Sequence, residues 1–374
     1  MDVSKLLFFC CLLSCLSFSS AYGVVTTSVE VQGRQLLVNG SAFIMKGVCY
    51  HPVRKGETIP DGLMTAHPTE DDLKVIENDF QLIHDAGFNT IRTYKPILDP
   101  GILKLLWKYK LYVIVSICLS YDDYKNLDSI KQIVEQLKEE PSTLFWEIGN
   151  EWNFNHFYTN TNFIDHISNP NLLTELECDE IIENVSKLIK NIDNHHHPIG
   201  TDIMILNNRL DYLYSGIAPS IEENVDLYGA NIYDGKSFGN RFNEWKDMTQ
   251  KPFYLGEFGS VSYNEDTKQE DTESQNEANL SLFNEILANA SAKDAQNNIL
   301  VGGCIFEFCD EWWKGGNPDP STHKPTGLFV DRGPFPSNCF DDEYFGIVDI
   351  DRNPKATYFS LKKLFKEQDK DQTQ

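Results

Sequence analysis

Eight short apolar runs, each followed by a stretch of helical period, limit what this 374-residue chain can fold into. The runs occupy residues 43–50, 90–94, 112–117, 144–151, 199–203, 227–233, 253–259 and 299–308 and are rich in Val, Ile, Phe and Tyr. Between the first two, Thr69-Glu70-Asp71-Asp72 forms a capping signal. Leu73, Ile76, Phe80 and Ile83 follow at helical spacing, and Gly87 stops the pattern. Helical periodicity returns over residues 100–110, 127–137, 179–192, 240–248, 276–290 and 354–365, and the signal after the fifth run is the weakest. Strands that are nearly continuous in apolar character must be covered on both faces, which predicts an α/β fold, a single (β/α)8 TIM barrel. An open doubly wound sheet would carry a Gly-rich turn after its first strand; Cys49-Tyr50-His51-Pro52 stands there instead.

The segments around this core divide the chain. Lys5, an apolar run over residues 6–16 and small residues up to Gly23 form the pattern of a secretory signal peptide, too short for a membrane span. Residues 1–23 are therefore expected to be a signal peptide. Residues 24–42 are expected to form a short N-terminal β-hairpin of the barrel domain, from the alternation Val29, Val31, then Leu36-Leu37-Val38 after Gly33. Residues 43–368 are the expected catalytic barrel and 369–374 a polar tail without a lipid-anchor signal. The acidic, Gln-rich stretch 265–277 predicts a solvated loop opening the seventh helix. The Gly-, Pro- and Asp-rich stretch 314–344 predicts a long irregular loop on the face where barrel sites are built.

A net charge of −24 argues against nucleic-acid or anionic-membrane partners. With a signal peptide the expected location is extracellular. Removing it leaves six of the nine cysteines (Cys49, Cys118, Cys178, Cys304, Cys309 and Cys339), which permits up to three disulfides of unreadable pairing. Sequons at Asn39, Asn184, Asn279 and Asn289 would mark surface positions. His195-His196-His197 precedes Pro198 in a predicted loop, and adjacent histidines point different ways, so no metal is expected. No phosphate loop, nucleophile elbow or metal spacing occurs, and no cofactor is called for.

Chemistry concentrates at two strand ends. Phe145-Trp146-Glu147-Ile148-Gly149-Asn150-Glu151-Trp152-Asn153 passes from apolar to polar as the fourth run ends, and Pro252-Phe253-Tyr254-Leu255-Gly256-Glu257-Phe258-Gly259-Ser260 does the same at the seventh. Glutamates there would face each other across the barrel mouth. Separated by about 5 Å, one could attack an anomeric carbon while the other protonates the leaving oxygen. Glu147 should point inward as well, deeper, and Glu307 could line the pocket floor from the eighth run. His51 is a candidate donor to sugar. Of Trp312 and Trp313, which follow Asp310-Glu311, at least one ring should face the cleft and stack on a sugar.

Asn150-Glu151 and Gly256-Glu257-Phe258-Gly259 resemble the two signatures of clan A glycoside hydrolases. The stretch that carries them is similar to the barrel domain of family 2 and to the family 72 β-1,3-glucanosyltransferases. Lys46-Gly47-Val48-Cys49-Tyr50-His51-Pro52 resembles the first barrel strand of those families, and Gly87-Phe88-Asn89-Thr90-Ile91-Arg92-Thr93-Tyr94 the second, so that the likeness runs from about residue 43 to 327. It implies Glu151 as acid/base and Glu257 as nucleophile. It further implies that Asn150 holds the sugar 2-hydroxyl, Arg92 steadies the nucleophile's charge and Tyr233 hydrogen-bonds Glu257.

Each residue also has an ordinary role to set beside this one. Glu151 and Glu257 could be surface carboxylates, Arg92 a structural partner of a barrel carboxylate, Tyr233 rim packing, and Trp152, Trp312, Trp313 and Tyr94 core aromatics. The reading that fits most observations is a retaining β-glycoside hydrolase or transglycosidase acting on an oligo- or polysaccharide, β-glucan favoured. Alternatives are a β-mannanase, an exo-β-glycosidase releasing mannosyl, galactosyl or glucuronosyl ends, or a non-catalytic carbohydrate-binding barrel. Oligomeric state is not legible.

Overall fold

The computed structural model describes residues 27–57, 63, 67–117, 124, 126–152, 175–205 and 219–371. The expected signal peptide and Cys118 lie outside them. Eight parallel strands close into a barrel: β4 (Met45–Cys49), β5 (Thr90–Arg92), β6 (Tyr112–Ile117), β7 (Thr143–Ile148), β8 (Ile199–Ile205), β9 (Leu227–Ile232), β10 (Phe253–Phe258) and β13 (Leu300–Ile305). β13 pairs with both β10 and β4, which completes the ring. All eight expected strands are present, and the barrel is the expected one.

The alternation of side chains explains why these runs looked continuous. Along β7 all six residues are buried. Trp146 and Ile148 join the outer layer under the helices, while Phe145 joins an inner cluster with Met45, Ile114, Tyr254, Val301 and Cys304. Helices α1 (Glu70–Asp85), α2 (Pro100–Lys108), α3 (Leu127–Leu137), α4 (Glu175–Ile192), α5 (Pro219–Asn224), α6 (Arg241–Met248), α7 (Thr272–Ala288) and α8 (Ala356–Asp371) follow the strands. Thr69 and Asp72 make the predicted capping box of α1, and Asp99 caps α2 with Pro100 in its first turn. The six-residue α5 agrees with the faint periodicity after the fifth strand.

Several expectations need correction or extension. The N-terminal segment holds the expected hairpin of β1 (Val29–Gln32) and β2 (Gln35–Val38), to which β3 (Ser41–Ala42) adds a third antiparallel strand. Val29, Leu36 and Val38 pack with Met45, Ile114, Leu144 and Leu227, so this sheet plugs the N-terminal end of the barrel. The seventh helix begins at Thr272, because Asp271 supplies its N-cap by accepting from Ser274 N; the residues before it pair as β11 (Tyr263–Asn264) and β12 (Gln269–Glu270). The last helix continues to Asp371, where Lys46 pairs with Asp369 at 2.8 Å, so residues 369–371 are not tail. Cys49, Cys304, Cys309 and Cys339 are buried free thiols, which removes the expectation of three disulfides. Asn39 and Asn184 are exposed as expected of sequons, but Asn279 is fully buried on the inner face of α7.

The long loop after β13 is irregular as expected, yet firmly packed. β14 (Leu328–Phe329) pairs with β15 (Cys339–Phe340), and His323 lies sandwiched between Trp312 and Tyr344 at ring-centroid distances of 4.9 and 3.6 Å. No helix among the described residues is long and apolar enough to cross a membrane.

Candidate active site

Residues of three other barrel strands converge on one guanidinium. Arg92, the last residue of β5, is fully buried, and all three of its nitrogens are engaged. Nε donates to both oxygens of Glu147 at 3.0 Å, Nη1 to Glu257 at 2.9 Å and Nη2 to Asn150 at 2.8 Å; Asp202 lies 3.7 Å from Nη2. Burial works against the Arg92 charge, but Glu147, Asp202, Tyr94 and Glu257 more than offset it and raise its pKa well above the usual value. The structural and site roles set beside each other for Arg92 are therefore one role: it pairs the deep carboxylate and reaches the shallower one. Tyr254 and Ser116 complete the shell of Glu147, at 2.8 and 3.3 Å.

Glu257 is held by three donors. Besides Arg92, Tyr94 donates to Oε1 and Tyr233 to Oε2, each at 2.6 Å. Both hydroxyls are pushed well above the ordinary tyrosine range, first by burial and then by neighbouring groups that include Glu257, so both keep the proton they donate. Three donors aimed at two oxygens suit an ionised carboxylate.

Glu151 occupies the opposite side of the network. Asn231 Nδ2 donates to Glu151 Oε1 at 2.9 Å and to Asn150 Oδ1 at 3.2 Å, and the Glu151 amide reaches Asp202 Oδ1 at 3.4 Å. The backbone at Glu151 is left-handed, with φ of 51°. A non-glycine residue there costs about 1–2 kcal/mol, a strain found where surrounding contacts fix a functional side chain. Burial, reinforced by repulsion from Glu147, Glu257 and Glu151, holds the Asp202 carboxyl well above the usual carboxylate range, against the pull of Arg92. Gly256 is required for this packing: a Cβ would meet Asp202 Oδ2 at 2.3 Å and Asn231 Oδ1 at 2.6 Å.

Asp202, Asn231 and Tyr254 are the residues that reading the sequence missed. Asp202 and Asn231 left a signal, since each is a polar residue inside an otherwise apolar run near its C-terminal end. Tyr254 left none.

The other candidates separate into groups. His51 stands at the mouth, with its ring edge-on to Tyr94 and Trp313 and Nδ1 3.4 Å from Glu311. Glu307, in the wall just past β13, is buried and pairs with Lys314 at 3.2 Å. Trp152 leaves the group altogether. It is 1% exposed, donates to Ile148 O and Thr201 Oγ1, and packs under Gly149, so it cannot touch a sugar. Trp312 is also covered, with His323 stacked on its ring and Lys55 Nζ 4.4 Å from its centroid. Trp313, half-buried beside His51, remains as the ring able to stack. The histidine run has ordinary partners: His195 meets Glu139 at 2.8 Å and His197 meets Asp193 at 2.9 Å. No group of three or more His, Cys, Asp or Glu among the described residues could hold a metal ion.

Comparisons with known proteins bear on the fold and the family. The chain is 22% identical over 315 residues to the 1,3-β-glucanosyltransferase GAS5 of Saccharomyces cerevisiae, covering 76% of this chain and 57% of that protein. It is 29% identical over 147 residues to a β-galactosidase of Alteromonas mediterranea, covering 35% of this chain and 13% of the other. Among solved structures, a family 2 β-galacturonidase from Eisenbergiella tayi superposes with a TM-score of 0.60 at 18% identity, over 91% of this chain and 54% of that one. A β-D-glucuronidase from Dictyoglomus thermophilum gives 0.59 at 19% identity, over 91% and 53%. At such identities the structures establish the barrel alone, and the chain spans little more than half the length of the glucanosyltransferase and of either solved structure. The family model described as glucanosyltransferase, glycoside hydrolase family 72, matches residues 19–316, and the chain belongs to that family.

Proposed function

We propose that the protein is a secreted retaining β-glycosidase or transglycosidase acting on a β-glucan, with Glu257 as nucleophile and Glu151 as acid/base. The observation that carries this reading is the set of three donors on Glu257. Glu257 accepts from Arg92, Tyr94 and Tyr233, the surroundings of a carboxylate that attacks. Glu151 accepts from the neutral amide of Asn231 and sits on a strained backbone at the end of β7.

In the first step a Glu257 oxygen bonds to the anomeric carbon, the glycosidic C–O bond breaks, and the Glu151 proton passes to the leaving oxygen. In the second, Glu151 takes a proton from water or from a sugar hydroxyl. The resulting oxygen attacks the anomeric carbon and Glu257 leaves as carboxylate. Water gives hydrolysis; a sugar hydroxyl gives transfer. Asn150, positioned by Arg92 and Asn231, holds the 2-hydroxyl, and Trp313 and His51 flank the sugar. Family membership supports a transferase and a β-1,3 linkage. Residues 1–23 support secretion by their signal-peptide pattern.

The test is incubation of the purified protein with defined β-1,3-glucan, β-1,4-glucan and mannan oligosaccharides, with products sized by mass. Products longer than the starting oligomer are expected from the β-1,3 series. Shorter products alone would make the protein a hydrolase, and turnover of mannan alone would move the substrate. Binding without turnover of any of them would make it a carbohydrate-binding barrel.

A further inference from the structure

Asp202 is a fully buried carboxyl on β8 that neither step of the proposed mechanism uses. Its two oxygens differ. Oδ1 accepts from the Glu151 amide at 3.4 Å and lies 3.7 Å from Arg92 Nη2. Oδ2 has no hydrogen-bond partner, and neither does Asn231 Oδ1 on the neighbouring strand β9. These two oxygens converge on one place beside Gly256, where a Cβ would meet them at 2.3 and 2.6 Å. Two buried acceptors that crowd together with no proton between them repel, and each is left unmet.

Turning the Asn231 amide over does not relieve this contact, because its orientation is fixed from the other side. Arg92 is a donor only, so the Asn150 side-chain oxygen must face Nη2, which it does at 2.8 Å. That same oxygen lies 3.2 Å from the Asn231 amide and needs a donor there, so Asn231 Nδ2 must face it. Nδ2 then also reaches Glu151 Oε1 at 2.9 Å, and Oδ1 is left toward Asp202. A proton on Asp202 Oδ2 turns the contact into a hydrogen bond. The charges around Asp202 agree. Facing it are Arg92 from β5, Glu147 from β7, Glu151 just beyond β7, Tyr254 and Glu257 from β10, and Cys304 from β13. Arg92 is the cation in that set, and Glu147 and Glu257 both accept hydrogen bonds from it. Burial first, then repulsion from Glu147, Glu257 and Glu151, favours the protonated form of Asp202 against the pull of Arg92.

We propose that Asp202 is a positioning residue: it carries a proton on Oδ2, hydrogen-bonds it to Asn231 Oδ1, and so fixes the amide that donates to Glu151 Oε1. The chain of bonds from Asp202 through Asn231 occupies Oε1 and assigns the proton that Glu151 transfers to Oε2. The Asp202 proton itself stays in place through both steps, so that no second anion stands next to Glu151 as that residue gives up its own proton. The positioning role rests on the reading of Glu151 as acid/base; the proton on Asp202 does not.

Infrared difference spectra of the full chain near neutral pH, wild type minus Asp202→Asn, test the proton directly. The difference is expected to contain the carbonyl-stretching band of a protonated carboxyl, and its absence overturns the proposal. Should Asp202→Asn not fold, Asn231→Ala removes the acceptor instead. The band is then expected to move to higher frequency as its hydrogen bond is lost, and an unmoved band overturns the proposal. Kinetics on β-1,3-glucan oligosaccharides test the positioning. Asp202→Leu, which makes neither bond, is expected to lose at least about tenfold in kcat with KM changed less than about threefold. Asp202→Asn, which offers an N–H in place of the O–H, is expected to recover most of that loss. The alkaline limb of kcat/KM, which reports the Glu151 proton, should coincide in wild type and Asp202→Asn, since residue 202 is neutral in both. A limb lowered by about one pH unit or more would reveal an Asp202 anion beside Glu151 and overturn the proposal, as would an unchanged kcat in Asp202→Leu. The protonated-carboxyl band without turnover of any glycan would uphold the proton and the fixed amide while counting against the proposed enzyme, so the two readings fail separately.

Discussion

The floor of the site and its eighth-strand wall solve the same problem, several buried carboxyls close together, by different means. In the floor one guanidinium with a fixed fork serves Glu147, Glu257 and Asn150, and every partner sits on or just beyond a barrel strand. In the wall one ammonium serves Glu307 and Glu311 from a loop, at 3.2 and 2.6 Å. A strand-borne network around a rigid fork fixes angles and suits chemistry, with Asp202 Oδ2 and Asn231 Oδ1 the oxygens it leaves without a hydrogen-bond partner. A loop-borne pair of carboxyls around one flexible ammonium takes its geometry from how the loop packs.

The sharpest way to break the contrast is to remove a floor carboxylate. Under the proposed mechanism Glu257→Gln is expected to lower kcat/KM on the order of 10⁴-fold even with an activated aryl leaving group, since no covalent intermediate can form. Glu151→Gln should cost about 10²–10⁴-fold on a natural glycan and far less on the aryl glycoside, which needs no proton on its leaving oxygen. Equal sensitivity of both variants to the leaving group would dismantle the assignment of roles.

Next in size is Arg92→Met. It strands Glu147, a fully buried carboxylate whose remaining side-chain partners are Tyr254 and Ser116. Breaking one side of a buried pair costs about 3–5 kcal/mol. We expect that loss in chemical denaturation, together with loss of activity. Lys314→Met, the corresponding change in the wall, should cost less, because Lys314 keeps some solvent contact at 16% side-chain exposure. A larger loss for Lys314→Met would invert the comparison.

Gly149→Ala probes the hinge between floor and strand. Gly149 has φ of 75°, and a Cβ would lie 2.2 Å from the Trp152 indole. Overpacking and the left-handed backbone together should cost about 1–3 kcal/mol and displace Glu151 two residues on. The checks are a denaturation midpoint and kcat; an unchanged kcat would show that Glu151 is placed independently of that packing.

These magnitudes bear on how much of the molecule could be read from its residues. The barrel was legible because burial on both faces forces eight apolar runs, and periodicity reports burial directly. Glu151 and Glu257 stood out because a strand end is a fixed address in a barrel, whereas Arg92 and Tyr233 came with the likeness to clan A glycoside hydrolases; both meet Glu257 in the structure. Asp202 and Asn231 carry the same mark, a polar residue within an apolar run, and could have been taken with them. Trp152 misled because it follows Glu151 directly; the left-handed turn through Gly149 and Glu151 folds its ring back into the core. Trp312 misled for another reason. Its partner His323 is eleven residues on, in an irregular loop, and no periodicity reports which rings will stack. The wall was out of reach for the same cause, since its geometry depends on how residues 306–345 pack.

The smallest predicted effect tests what holds that loop. His323 lies between Trp312 and Tyr344 and meets the Glu343 carbonyl through Nε2 at 2.9 Å. Burial lowers its pKa from 6.5 to about 4; the Glu343 carbonyl and the charges of Glu270 and Asp349 oppose the shift, and Lys355 adds to it. The folded value lies below the unfolded one. The stabilising contribution of neutral His323 is thus complete above about pH 6.5 and is lost as pH falls toward 4. Glu343 and Asp310, both raised to about 7 by burial, act in the opposite sense, favouring the fold as pH falls through 7. The raw pH profile of stability therefore mixes both signs, and a difference between two proteins is needed to isolate the histidine. His323→Phe keeps an aromatic ring in the stack and removes the titration. It should melt below the wild type at pH 7.5, where the Nε2 contact is lost, and the gap should narrow or reverse at pH 4.5. A gap constant across that range would mean that His323 titrates in the folded protein as it does in the unfolded chain, and that the loop is held by its other contacts.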